Sequence, residues 1–196
     1  FQKGLDDMSK AFKTEFAQSL SAGGYEERVK GLDPTQKLVV DVVAEWAMKR
    51  GTWKNQNPAR PSRRLKKGPS SDMPPPQLPP SLRMLLLGTA GTGKTHTAKV
   101  GITEARIILG SYDSVLTMAF SGVASANLGT GSRTIDSIFH TNQADAGDDL
   151  TGTDLDELVR QLEHIEFIVI DEISTCGAAA LEVVSRRMRQ VARVLW

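Results

Sequence analysis

Residues 84–95 read Met-Leu-Leu-Leu-Gly-Thr-Ala-Gly-Thr-Gly-Lys-Thr, a short apolar run that opens into a complete G-x-x-x-x-G-K-[ST] phosphate-binding pattern. Context gives the pattern meaning: the residues predict a strand over about 83–87 before it and a helix over about 94–109 after it. Gly88, Gly91 and Gly93 let the backbone turn tightly and aim its N–H groups at phosphate oxygens. Thr89, Ala90 and Thr92 complete the cradle, and the following helix offers its positive dipole end at the same point. In this reading Lys94 reaches the β- and γ-phosphates, and the Thr95 hydroxyl holds Mg²⁺. The bland alternative, a Gly/Thr-rich turn that binds nothing, is disfavoured by the flanking elements.

A second stretch completes the chemistry. Phe167-Ile168-Val169-Ile170 is continuously apolar and rich in β-branched residues, suited to a central parallel strand buried on both faces. It ends in Asp171-Glu172. A carboxylate at the carboxyl end of such a strand, beside a phosphate loop, is where the second Mg²⁺ contact is expected, so Asp171 joins Thr95 as a metal ligand. Glu172 is then placed to orient and deprotonate an attacking water. An apolar run ending in two acids says little alone; with the loop it says nucleoside triphosphatase, with hydrolysis preferred over transfer.

The bulk properties permit this. At 196 residues the chain suits one α/β domain with an N-terminal extension. A net charge of +1 neither demands nor excludes a polyanionic partner. Cys176 is the only cysteine, which rules out an intramolecular disulfide and fits a reducing, intracellular compartment. No apolar stretch approaches the roughly 18–20 residues that span a bilayer. The first residue is Phe1, so a piece of a longer chain is expected.

Along the chain, Leu5, Met8, Phe12, Phe16 and Leu20 form an amphipathic helical stripe that Gly23-Gly24 ends. A second helix is predicted from Asp33 as N-cap and Pro34 in the first turn to Gly51 just past the end, with Leu38, Val39, Val42, Val43 and Trp46 facing inward. Residues 53–82 hold eight of the nine prolines and read as an extended loop. Eight Lys or Arg and no acid lie between Lys49 and Lys67, either a nucleic-acid contact or a solvated basic linker. Further strands are expected near 114–120 and 166–170. Helices are expected within 123–128, at about 154–164 and at about 178–194, the last with Leu181, Val184, Met188 and Val191 inward and Arg186, Arg187 and Arg189 largely elsewhere. This alternation predicts a parallel sheet with helices on both faces, and triphosphate at the carboxyl ends of the strands.

The stretch between the two motifs narrows the choice of nucleotide-driven machine. Ala119-Phe120-Ser121-Gly122-Val123-Ala124-Ser125-Ala126-Asn127-Leu128-Gly129, then Thr134-Ile135-Asp136-Ser137-Ile138-Phe139, resembles the DNA-facing motifs of Pif-type (petite integration frequency) and RecD-like superfamily 1 DNA helicases. Gly88–Thr95 and Asp171-Glu172-Ile173-Ser174 look like their two nucleotide motifs. Leu32-Asp33-Pro34-Thr35-Gln36 resembles their adenine-sensing element and makes Gln36 the adenine contact. The resemblance covers roughly residues 30–192. It implies a RecA-like P-loop NTPase motor domain over 32–196, the first of two, behind a helical extension at 1–31. It further implies ATP and Mg²⁺ as cofactors and single-stranded or forked DNA as partner, contacted by Ser121, Gly122 and Phe139. The activity implied is 5′-to-3′ DNA unwinding in genome maintenance, repair, recombination and telomere upkeep, in nucleus or mitochondrion. In such helicases a second motor domain brings the arginine that completes the triphosphate site. The chain ends at Trp196, ahead of that domain, and is expected to bind nucleotide, to hydrolyse it slowly or not at all, and not to unwind DNA alone.

Asp136 stands where the family commonly has His, which makes that turn a poorer neighbour for a phosphate backbone. Thr175-Cys176 replaces the usual Met after Asp-Glu-Ile-Ser. Two other readings stay open. A ring-forming ATPase of the AAA type shares both nucleotide motifs but gives no reason for Ser121-Gly122, and a non-catalytic nucleotide- or DNA-binding module would show no DNA-stimulated turnover. His96 is expected at the surface or in packing, and His140 and His164 lack partners at metal-ligand spacing. Phe120 and Phe139 stack on bases in one reading and fill the core in the other. The acids from Asp145 to Glu157 are expected to keep DNA off their face.

Overall fold

The computed structural model describes residues 24–56, 78–129, 131–141 and 148–195. The stripe from Leu5 to Leu20 and most of the Pro-rich basic stretch lie outside these. A three-stranded sheet organises the rest. Strands β1 (Val115–Ala119), β2 (Arg133–Thr134) and β3 (Phe167–Asp171) are all parallel, in the order β2-β1-β3. Val115 pairs with Phe167 and Ala119 with Asp171, so the acidic end of β3 lies level with the end of β1.

Helices cover both faces, as parallel strands apolar on both sides require. On one face lie α2 (Pro34–Gln56) and α3 (Lys94–Leu109), where Val43, Ala47, Ile102 and Ala105 meet Val115, Phe167 and Val169. The other face carries α5 (Ile135–Phe139), α6 (Gly152–Leu162) and α7 (Ala178–Leu195), with Phe139, Leu158, Leu162 and Val191 against Met118, Ile168 and Ile170. A short α4 (Gly122–Leu128) follows β1 directly. These observations fit the α/β, RecA-like class expected from the sequence.

Several local expectations are corrected. Residues 83–87 are not a strand: they lie outside the sheet without regular structure, with Leu85 63% and Leu87 78% exposed. An apolar run becomes a strand only where a neighbour takes up its backbone donors and acceptors. β3, expected to be central and buried on both faces, instead ends the described sheet on one side, and every residue of it is only half-buried. Helix α2 runs through Gly51 to Gln56, so residues 53–56 are helix rather than loop. A Cβ at Gly51 would lie 3.7 Å from the Ile108 carbonyl of α3, an ordinary contact, so the helix passes this glycine without needing it for room. The buried stripe of α2 is Val40, Val43, Ala44 and Ala47, while Leu38 faces water. Arg187 is inside, not outside: its guanidinium donates to the Asp148 carbonyl and to Gln190 Oε1, holding the approach to α6.

Ion pairs tie the first helices to this body. In α1 (Tyr25–Arg28), Tyr25 donates its phenol proton to Asp41 of α2. Burial and that carboxylate hold the Tyr25 hydroxyl well above its ordinary range. Arg28 pairs with Glu104 of α3, which is 3% exposed. Arg28→Ala leaves that carboxylate buried without its counter-charge and is expected to cost about 3 kcal/mol of stability by urea denaturation. A second change, Glu104→Leu, should restore most of the loss.

Arg50 and Lys54 of α2 both reach Glu166, just ahead of β3, at 2.6 and 3.0 Å. Burial pushes the Glu166 carboxyl up, but the hydrogen bonds and charges of Lys54 and Arg50 outweigh it and hold the group below its ordinary value. A depressed carboxyl contributes stability that is full above its unfolded value and is lost as pH falls through the folded one. Glu166→Gln should therefore lower stability at neutral pH and flatten the loss seen below about pH 4. Denaturation midpoints measured from pH 7 to pH 3 would check both effects.

Candidate nucleotide site at the carboxyl edge of the sheet

The phosphate-loop residues form the turn between residues 83–87 and α3. Gly91 and Gly93 hold φ of 79° and 78°, the left-handed region where a Cβ is costly. A Cβ at Gly88 would lie 2.7 Å from Thr92 Oγ1, so glycine is needed there for room as well. Thr92 Oγ1 donates to the Thr89 carbonyl at 2.9 Å, which folds the loop over Ala90 and Gly91. Lys94 starts α3 and turns its ammonium back over the loop, donating to Gly88 O at 2.9 Å and Thr89 O at 2.7 Å. Thr97, one turn on, is buried and ties its hydroxyl to the Gly93 carbonyl at 3.0 Å.

The second stretch meets the first. Thr95 Oγ1 donates to Asp171 Oδ2 at 3.0 Å, across 76 residues of chain. The other oxygen, Asp171 Oδ1, accepts from the Glu172 amide at 2.9 Å, so both carboxylate oxygens are oriented. Glu172 sits at φ 50°, ψ 40°, a left-handed conformation rare for a non-glycine residue. Its carbonyl accepts from Thr175 N at 2.9 Å and Thr175 Oγ1 at 2.7 Å, which pins the turn in place. The Glu172 side chain stays exposed at the rim.

Gln36 completes the group. Its Nε2 donates to the Thr92 carbonyl at 3.0 Å, which lays the start of α2 against the loop. Asp33 caps α2 by accepting from Thr35 N and Gln36 N, while Gln36 Oε1 accepts from Asp33 N at 3.0 Å. That reciprocal pair is a capping box. Asp33 was legible as the cap; the D-x-x-Q spacing that makes Gln36 its partner was the signal overlooked.

A magnesium ion suits these oxygens. Among the described residues no three His, Cys, Asp or Glu gather as a metal cage. Mg²⁺ needs none, since one or two carboxylates and phosphate oxygens commonly hold it with water. Thr95 and Asp171 offer a hydroxyl and a carboxylate side by side, both hard oxygen donors.

The DNA-facing candidates divide. Ser121 and Gly122 lie exposed just past the end of β1, on the same edge as Asp171, beside Phe120 and Val123, which are exposed too. Ser121 uses its oxygen to cap α4, accepting from Ala124 N at 3.1 Å. Phe139 is 0% exposed and packs in the core, so it cannot stack on a base as it stands; its α5 is anchored by its apolar face. Asp136 accepts from Thr141 Oγ1 at 3.2 Å, and Thr134 caps α5. Arg133, beside them, bonds Gln161 Oε1 and the Ser137 carbonyl. His96 is exposed. Cys176 fills space near the site, its thiol pushed up by burial. No described helix is long and apolar enough to cross a membrane.

Comparison with known proteins adds one match. The family model described as PIF1-like helicase fits residues 80–195, from the start of the phosphate-loop segment to the end of α7. Neither the curated proteins nor the solved structures give a match. The match takes in both nucleotide motifs and the stretch between them, on a sheet that brings them to one edge. The chain therefore belongs to the PIF1-like helicase family.

Proposed function

We propose that this chain is the nucleotide-binding motor domain of an ATP-dependent DNA helicase. The observation that carries the reading is the Thr95–Asp171 contact, which joins the phosphate loop to the acidic end of β3. In this reading the loop amides of Gly88–Thr95 and the Lys94 ammonium cradle the triphosphate. Thr95 and Asp171 hold Mg²⁺, which when bound neutralises charge developing between the phosphates. Glu172 orients the attacking water and takes its proton, a task suited to an exposed carboxylate one residue past a metal ligand. Gln36 reads the adenine. Ser121 and Gly122, open on the same edge, meet the phosphate backbone of single-stranded or forked DNA. Kinship with the family supports 5′-to-3′ tracking and work in genome maintenance, repair, recombination and telomere upkeep, in nucleus or mitochondrion.

The test joins binding to stimulation. The chain should bind Mg·ATP with an affinity that Asp171→Asn lowers in the presence of magnesium but not in EDTA. Single-stranded DNA should accelerate whatever turnover it shows. Nucleotide binding without any response to DNA would favour a non-catalytic binding module instead.

A further inference from the structure

We infer that Thr175 is a positioning residue for hydrolysis: its hydroxyl holds the backbone of Glu172 and thereby aims both carboxylates at the end of β3. The inference rests on the nucleotide-site reading above and deepens it. A non-glycine residue stays in the left-handed region only where its surroundings over-determine it. Glu172 is held at both of its peptide groups. On one side its N–H donates to Asp171 Oδ1 at 2.9 Å. On the other its carbonyl accepts from Thr175 N at 2.9 Å and from Thr175 Oγ1 at 2.7 Å. Fixing the N–H fixes φ and fixing the carbonyl fixes ψ, so the direction in which the glutamate side chain leaves the backbone follows.

The post that carries this hydroxyl is firm. Cys176, next in the chain, is 9% exposed and lies in the core cluster with Ile138, Phe139 and Leu158. Its N–H donates to the Ile173 carbonyl at 3.1 Å and closes the single turn over Ile173–Thr175. Thr175 itself is exposed, so its side chain contributes little to the stability of the fold. What it adds is a second donor on the one carbonyl that sets the turn. The same bonds reach the metal side. With the Glu172 amide on Oδ1, Asp171 keeps Oδ2 toward Thr95 at 3.0 Å. If the carbonyl swings away, the amide turns with it and Asp171 is free to rotate. Thr175 stands where the family commonly has Met, which has no O–H to donate, so this clamp belongs to this chain.

Two readouts separate this role from support of the fold. Thr175→Val keeps the shape and loses the hydroxyl. It should slow single-turnover hydrolysis at saturating Mg·ATP about tenfold, since a small misplacement of a reacting group is costly. It should also cut the gain in ATP affinity that magnesium brings by about threefold, with affinity in EDTA and the melting temperature as in the wild type. Thr175→Ala removes the hydroxyl in a second way and should match it. Thr175→Ser keeps the donor and should recover most of both losses. The inference falls if either hydroxyl-free variant keeps a measurable wild-type rate or the wild-type magnesium gain, if it loses affinity equally in EDTA, or if serine fails to rescue. The magnesium gain is a binding measurement, so it decides even where turnover is too slow to follow. A wild-type chain whose ATP affinity ignores magnesium would instead fail the nucleotide-site reading itself.

Discussion

Lys94→Ala should cut Mg·ATP affinity about 100-fold and abolish turnover, while leaving the melting temperature of the empty protein nearly unchanged. The size follows from losing charge-assisted hydrogen bonds to phosphate, the stronger class of such bonds. The contrast with stability follows from where the ammonium rests without ligand. It bonds two carbonyls, those of Gly88 and Thr89, in a loop whose residues are largely exposed. Water replaces it there at little cost, as with most surface substitutions. Titration with a fluorescent ATP analogue and a thermal melt check both halves. Unaltered nucleotide affinity would remove the loop from the site.

Glu172→Gln should lower turnover by about 10²–10⁴-fold with nucleotide affinity retained, because only the proton acceptor is lost. Glu172→Gly should lose as much turnover and yet gain up to about 1 kcal/mol of stability. At φ 50° the glutamate bears a strain that glycine does not, part of which glycine returns through its freer unfolded chain. Activity and stability would thus move in opposite directions at one residue. Single-turnover hydrolysis beside urea denaturation measures the pair. A destabilised Glu172→Gly variant would refute the strain.

The parts of this molecule legible in its sequence are those whose meaning is local. The phosphate loop announces itself through glycines that only a tight turn needs. β3 does so through four apolar residues that run into the acids Asp171 and Glu172. Helices α3, α6 and α7 begin and end close to where their patterns place them. What escaped depends on neighbours. The run from Met84 to Leu87 is apolar throughout but holds no β-branched or aromatic residue, and pairing is settled by what lies beside it. The inward stripe of α2 is turned from its expected setting because alanines at 44 and 47 let α3 come close, and small residues give a periodicity search little weight. Arg187 reads as surface, although a loop carbonyl and Gln190 give it a buried seat. Two open choices for aromatic residues were resolved oppositely: Phe139 went to the core and Phe120 stayed half in water.

The bond between Thr95 and Asp171 also bears on assembly. Its two ends are 76 residues apart, with β1, β2 and three helices strung between them. The glycine turn is local, but its second jaw is in place only when β3 pairs with β1. A nucleotide that needs both ends of this contact would bind the finished state alone, and mass action would make it a chaperone-like brace: at a hundred times its dissociation constant it adds about 2.7 kcal/mol against unravelling.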